Sequence, residues 1–319
     1  MKISITDKGS GITKEFAKAI GANVVGRFIY IPESKGAGYL TGFWWSSDLR
    51  MMIRNYHLKD DVYIERTNEL AEGQEDIIFL ITGILPSLVN SEEHLMAEQP
   101  NIMICRHAVS TVMAMPSNTL FGSVTIAVSK KYLHQMFGEI DNPVVSSVLE
   151  AKDNFVFETP VSPEIIKTAS DLVLQSFPEI LESRYFKLKC EELLCHIFMI
   201  LLDRETVPSS TMHIQDIKAI YAVKARLQSN FEEPPHIAAL AREAGMSEPK
   251  LRKLFKQTFG KGVFEHYQSG RMQKAAYLLK EKRLTVSEVG YQLGFTNLSH
   301  FSRIFEQHLG FKPKKYSAM

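Results

Sequence analysis

The chain has 319 residues, of which 45% are hydrophobic, 23% charged and 10% aromatic. That composition is globular, and its length suits two to three domains with a sizeable core. The formal charge of +1 conceals a division: residues 214–319 hold 18 Lys and Arg against 9 Asp and Glu, while residues 1–213 hold 19 against 27. A basic tail behind an acidic front points to a polyanionic partner for the tail.

Other classes are set aside on composition. The three cysteines are an odd number without paired-ligand spacing, which excludes a disulfide scaffold. Cys190 and Cys195 stand in an apolar helical stretch and read as reduced core thiols. The opening MKISITDKGSG has no secretory apolar core, and the run Leu193–Leu202 is about half the ~20 residues of a membrane span. The expectation is a cytoplasmic protein without membrane contact.

From about Gly21 to Phe137 short β-branched and aromatic runs alternate with turn residues. The expected strands are Val24–Ile31, Leu49–Leu58, Val62–Arg66, Asp76–Ile81, Asn101–Cys105, Val109–Met115 and Gly122–Val128, with Gly36-Ala-Gly38, Gly73, Gly83, Pro86 and Pro116 as punctuation. Regular short strands predict a β-sandwich or small barrel over residues 1–160, and Ser129–Phe137 reads as a helix. No phosphate-cradling glycine loop opens a helix in this stretch.

Residues 161–205 read as a helical connector. Ser162-Pro163-Glu164 is a helix start: a capping hydroxyl, a first-turn proline and an acid at the positive end. A second helix from about Glu182 to Arg204 is apolar nearly all round in its second half, so something covers it: the β domain or the same helix of a second chain. Residues 206–213, within the polar stretch ETVPSSTMH that begins at Glu205, form the linker.

The tail, residues 214–319, contains an internal repeat. Ile237, Leu240, Ala241 and Gly245 recur 49 residues later as Val286, Val289, Gly290 and Gly294. Leu251, Phe255 and Gly260 recur after 50 as Phe301, Phe305 and Gly310. Each copy pairs a short amphipathic helix with a glycine turn and a second amphipathic helix. Gly245 and Gly294 are expected in the left-handed conformation, Ser247 and Asn297 as N-caps, and Thr285-Val-Ser-Glu288 as a capping box. Two helices across a glycine turn make a helix-turn-helix, placed here at about 236–258 and 285–308.

The two copies and the FEHYQSGRMQKAAYLLKEKRL segment between them resemble the tandem DNA-binding domain of AraC/XylS-family transcription regulators. The residues that carry the resemblance are Ala238–Leu240, Gly245-Met246-Ser247, Leu251, Phe255-Lys256, Gly260, Arg271, Ala275, Leu278-Leu279, Val289, Gly294-Phe295, Phe301-Ser302-Arg303, Phe305, Gly310 and Pro313. The resemblance implies a double-stranded DNA partner, two recognition helices in successive major-groove faces, and RNA polymerase as a partner of an activator. It also implies a cupin-like front domain that binds a small-molecule effector and joins two chains. The fold expected is thus α+β and multidomain: cupin-like barrel, helical connector and all-α tandem helix-turn-helix tail.

Helical geometry sorts the two recognition helices. Leu251, Leu254 and Phe255 take the core of the first, leaving Glu248, Pro249, Arg252, Lys253 and Lys256 for DNA. Phe301, Ile304 and Phe305 take the core of the second, leaving Asn297, Leu298, Ser299, His300, Ser302 and Arg303 outside. Arg252, Lys253 and Arg303 can pair with guanine or neutralise phosphate; Asn297 can meet an adenine edge or cap its helix. Lys256, Lys312, Lys314 and Lys315 suit phosphates. Pro249, Glu306, the missing basic residue after Tyr316 and Gly270 depart from the family pattern; Gly270 inside the linker helix costs about 1 kcal/mol relative to Ala and is expected to loosen the relative setting of the two motifs.

For the effector, Trp44, Trp45, Arg54, Tyr56, His57, Arg106 and His107 offer stacking area and anion recognition. Siderophores, sugars and short acids are compatible ligands. His57, His94, His107 and His134 lack the His-x-His and carboxylate grouping of a cupin metal centre, so neither metal nor cofactor is expected. The reading is a ligand-controlled dimeric regulator and no enzyme. Its alternatives are a cupin-type metalloenzyme with a DNA-binding appendage and an effector-independent DNA binder.

Overall fold

A computed structural model describes residues 2–7, 13–68, 76–86, 96–98, 100–106, 111–117, 119–151, 155–174, 178–204, 207, 212–280 and 282–318. It divides into two compact units, Met1–Ile214 and Gln215–Met319. Most of the expected linker lies outside the described residues.

The first unit begins with β1 (Lys2–Asp7), α1 (Thr13–Ile20), β2 (Asn23–Val25), β3 (Phe28–Tyr30), β4 (Gly36–Ser46), β5 (Leu49–Leu58) and β6 (Val62–Asn68). It continues with β7 (Asp76–Thr82), β8 (Met96–Ala97), β9 (Asn101–Arg106), β10 (Thr111–Met115) and β11 (Thr119–Ser129). Then follow α2 (Lys130–Phe137), α3 (Pro143–Leu149), β12 (Val156–Thr159), α4 (Pro163–Leu174) and α5 (Glu179–Leu202).

Among the described residues the sheets do not close into the expected barrel. The large sheet runs as an open path β12-β9-β7-β11-β5-β4-β3-β2, with β8 joining β11, and a separate sheet has the order β1-β6-β10. Alternation along the central strands explains this layering, because β5 and β11 bury their two faces against different partners. Leu49, Met51 and Ile53 of β5 stand beside Val124, Ile126 and Val128 of β11 and join Leu133, Ile165, Phe186, Leu194, Ile197 and Phe198 of the helices in one core. On the opposite face Leu40, Tyr56, Leu58 and Phe121 pack with Ile3, Ile5, Val62 and Ile64 of the small sheet and with Phe16 of α1. The first unit is therefore a helix-backed antiparallel sheet carrying a second, smaller sheet.

Two expectations for the strands change. Val24–Ile31 is a hairpin, not one strand, because Gly26 turns the chain with φ +59°. Gly36–Gly38 opens the 11-residue strand β4 instead of ending one. Gly38 has φ +106°, and a Cβ there would meet Tyr56 at 2.5–2.8 Å, so glycine permits the close approach of β4 to β5. The two connector helices belong to the first unit's core. Helix α5 is tied at both ends: Arg27 forms a two-pronged ion pair with Glu182, Trp45 Nε1 donates to the Ser183 carbonyl at 3.0 Å, and Arg204 donates to the Glu158 carbonyl at 2.8 Å.

The second unit is all helical: α6 (Ile214–Ser229), α7 (Ile237–Glu243), α8 (Glu248–Phe259), α9 (Val263–Lys280), α10 (Val286–Gln292), α11 (Leu298–Leu309) and α12 (Pro313–Tyr316). Helix α9 joins the two repeat copies without a break, and α10, α11 and α12 all pack on it. Met272, Ala275 and Leu279 of α9 share a core with Val289, Phe295, Phe301 and Phe305.

Candidate nucleic-acid interface

Each copy of the repeat is a helix-turn-helix built as the spacing predicts. Gly245 and Gly294 take φ +64° and +72°, ending α7 and α10 in the left-handed conformation. In both copies the residue after the turn glycine donates its N–H to a carbonyl five residues back: Met246 to Ala241 and Phe295 to Gly290, each at 2.9 Å. Helices α8 and α11 end alike, at Gly260 and Gly310 with φ +71° and +76°.

The N-termini differ. Asn297 accepts from the His300 N–H at 3.0 Å, so its amide is engaged as a cap, while Ser247 holds the N-cap position of α8 with no side-chain cap bond. Thr285 and Glu288 form the full capping box at the start of α10. The hydrogen bond from Thr285 holds the Glu288 carboxyl below the usual carboxylate value.

The faces sort largely as helical geometry requires. Leu251, Leu254 and Phe255 of α8 are buried, joined by Thr258 and Phe259. Pro249, Arg252, Lys253 and Lys256 are exposed along the opposite face, and Glu248 is half-buried. Lys250 is a further exposed cation on this helix; it pairs with Asp216 at 2.9 Å. Glu248 lies 3.5 Å from Arg252, an exposed contact that a phosphate or base edge can replace at little cost. On α11, Asn297, Ser299, His300 and Arg303 are exposed and Ser302 is half-buried.

Two expectations for α11 are corrected. Leu298 is half-buried instead of exposed, because it lies over Gly290, where a Cβ would meet Leu298 at 2.5 Å. Ile304 is half-buried at the margin of the core. The pair Gly290 and Leu298 replaces Ala241 and Glu248 of the first copy, a small residue making room for a large one. The first face carries Lys250, Arg252, Lys253 and Lys256 against Glu248, and the second carries Arg303 against Glu306.

Gly270 lies inside the continuous helix α9. The ring of Phe231, which precedes α7, lies so close that a Cβ on Gly270 would stand 3.1 Å from two of its carbons. Sequence reasoning gave Arg271 no role, yet it is buried and donates Nε–H to the Leu293 carbonyl at 2.9 Å. Its position in the apolar stripe of Tyr267, Arg271, Ala275 and Leu278 was the available signal, since a buried cation needs a partner.

The effector candidates among the described residues are not gathered in one place. Trp44 and Trp45 are near the β4–β5 turn, where Trp44 is exposed under Arg50 at 4.9 Å and Trp45 is bound to Ser183. Arg54 and Tyr56 share one face of β5, and Asn55 and His57 take the other, as alternation demands. Arg54 is buried and donates to the Ser123 hydroxyl at 2.7 Å; Tyr56 is buried beside it, its phenol pushed up to about 12 by desolvation. Arg106 ends β9 in register with Ile77, and His107 lies outside the described residues. Near Arg54, burial raises the pKa of the Glu98 carboxyl, opposed by the Arg54 charge.

His57 is buried, His134 is 3.3 Å from Glu150, and His94 lies outside the described residues. Among the described residues no three ligand-type side chains converge as a metal group. No helix of the described residues is long and apolar enough to cross a membrane. Cys195 is exposed while Cys190 is buried, because five residues turn a helix by about 140°.

Comparison with known proteins decides the identity of the second unit. A family described as "Helix-turn-helix domain" matches residues 240–319, the stretch that holds both turns and α9. The second unit is an AraC-type helix-turn-helix domain. Among curated relatives, the HTH-type transcriptional regulator GlxA of Rhizobium meliloti (strain 1021) is 34% identical over 89 residues, covering 28% of each chain. The HTH-type transcriptional activator RhaR of Escherichia coli (strain K12) is 27% identical over 126 residues, 39% of this chain and 45% of that one. The chain thus spans less than half the length of these relatives. A solved structure of a probable AraC family transcriptional regulator from Rhodopseudomonas palustris CGA009 is 27% identical, covering 32% of this chain and 95% of that one with a TM-score of 0.30. The AraC-type assignment covers the second unit.

Proposed function

We propose that the chain is a sequence-specific, DNA-binding transcription regulator of the AraC type, controlled by a small molecule at its first unit. The observation that carries this reading is the pair of helix-turn-helix motifs on one continuous helix, each presenting a polar, solvent-facing recognition surface. Arg252, Lys253 and Arg303 reach base edges, with Ser299, His300 and Ser302 as polar readers and Pro249 and Asn297 at the helix starts. Glu248 orients Arg252 until DNA replaces it, and Lys256, Lys312, Lys314 and Lys315 neutralise phosphates. Such a regulator works in the cytoplasm, and RNA polymerase is its partner where it activates.

Dimerisation through α5 accounts for an apolar face that the sheet does not use. Leu181, Leu188, Cys195 and Leu202 recur every seven residues, Met199 lies beside them, and all five are exposed. A second α5 buries this stripe and supplies two tails, whose linkage raises affinity for a repeated site. The effector acts by changing how the two tails are presented. The candidates with buried polar chemistry, Arg54 and Tyr56, are the strongest for its recognition. Trp45 is engaged by its hydrogen bond to Ser183 of α5.

Selection of binding sites from random DNA at physiological salt tests the reading. The wild type is expected to return a sharp repeated motif that the Arg252→Ala/Arg303→Ala double variant loses while its helical circular dichroism stays unchanged. Enrichment without a motif under every effector screened would contradict it.

A further inference from the structure

We infer that Phe231 and Glu232, together with Arg271 of α9, form a brace that fixes the second recognition helix against the segment leading into the first, and so sets the half-site spacing the chain accepts. This rests on the DNA-binding reading above and adds to it a determinant that touches no DNA.

The brace is built from two closely fitted glycines and one buried cation. Phe231 and Glu232 precede α7, yet they meet both α9 and the second turn. The Phe231 ring lies on Gly270, and its carbonyl accepts from the Tyr267 hydroxyl at 2.9 Å. Glu232 backs onto Gly294, where any Cβ would fall on the Glu232 carbonyl. The stretch is held in shape locally, because the Glu232 N–H donates to the Asn230 side chain at 2.8 Å.

Arg271 closes the arrangement from the other side. Its guanidinium donates twice to the Leu293 carbonyl, the last carbonyl before the Gly294 turn, and lies 3.8 Å over the Phe295 ring. Phe295 in turn packs on Phe301 of α11, with centroids 5.1 Å apart. Movement of Arg271 is therefore passed to the recognition helix through the contacts of Phe295 with Phe301 and His300. Among the described residues nothing is wedged against the first turn glycine: a Cβ on Gly245 would meet nothing within 4 Å.

Spacing is where this matters. One base pair inserted between two half-sites turns the second by about 34° and moves it by about 3.4 Å. A braced pair of readers rejects that change; an unbraced pair follows it.

The test uses the full chain with Phe231→Leu, Arg271→Lys and Arg271→Gln, and Gly245→Ala as a matched perturbation of the first turn. The first readout needs no DNA. Hydrogen exchange in α10 and α11 should rise several-fold in the Phe231 and Arg271 variants and stay unchanged in α7 and α8, with Arg271→Lys the milder of its pair because lysine keeps the charge but not the fork. The second readout is affinity for the selected site against versions with one base pair added or removed between its halves. The wild type should discriminate by about tenfold or more and the variants by less than about threefold. A merely structural role would lower all affinities together and leave that ratio unchanged.

Equal exchange changes in both motifs, unchanged exchange, or undiminished spacing discrimination would each overturn the brace. Failure of the wild type to select any motif would sink the DNA-binding reading and the spacing consequence with it. The exchange pattern would then still decide whether the brace exists.

Discussion

The two recognition motifs share a plan and differ in what holds them. The first turn glycine, Gly245, stands in open space, its α7 start lacks a side-chain cap, and its recognition helix carries four exposed cations. In the second motif Gly294 is wedged against Glu232, α10 has a complete capping box, Asn297 caps α11, and Arg271 pins the turn from below. Its recognition face carries Arg303 against Glu306. One helix-turn-helix is rich in charge and lightly held; the other is nearly neutral and firmly held. Under the proposed function, the difference divides the work between the two readers, one drawing affinity from phosphate charge and the other depending on fixed geometry.

The sharpest way to break this comparison is a matched pair of glycine substitutions. Gly245→Ala should cost about 1–2 kcal/mol, the strain of a left-handed alanine. Gly294→Ala adds a backbone collision to the same strain and should cost about 3 kcal/mol or more, measured by urea unfolding. Equal costs would mean that the wedge carries no load. Next in size, Thr285→Ala should destabilise by about 1 kcal/mol while Ser247→Ala stays within about 0.5, since only the first hydroxyl caps a helix.

Charge gives a third contrast. Lys256→Ala should reduce the salt slope of DNA binding by about 1, and Ser299→Ala should leave the slope unchanged. The smallest effect concerns pH. The folded-state pKa of Glu288 is lowered, so its stabilisation is present above the ordinary value of 4.5 and is lost as pH falls through the lowered value. Amide exchange at the start of α10 should quicken across that window relative to the start of α7, which has no such cap. Parallel behaviour at both helices would remove Glu288 from the account.

Much of the second unit was legible because its signals are local. Turn glycines, caps and three-to-four spacing sit within a few residues of what they determine, and the repeat reads each of them twice. The front was less so. Gly36 and Gly38 look like punctuation, but they open an 11-residue strand whose need for glycine comes from β5, far along the chain. Leu298 has the spacing of an exposed residue, and only Gly290 on another helix reveals the niche it fills. The same limit applies to the effector candidates. Arg54 and His57 are near in sequence, but odd and even positions on β5 turn to opposite faces, and the tryptophans stand at the strand's other end. Arg271 was visible as a residue of the resemblance and as a cation in an apolar stripe. Its partner, a carbonyl 22 residues away, was not.

The measurement that tests the central claim most directly is footprinting of the selected site, resolved by half-site, for Arg252→Ala and Arg303→Ala separately. Each arginine is expected to contribute about 1–3 kcal/mol through its own half. Arg252→Ala should lose protection and base preference in one half, Arg303→Ala in the other, with both proteins as stable as the wild type. Loss of the same half by both variants, or preserved base preference in both, would contradict two separate readers on one helical frame.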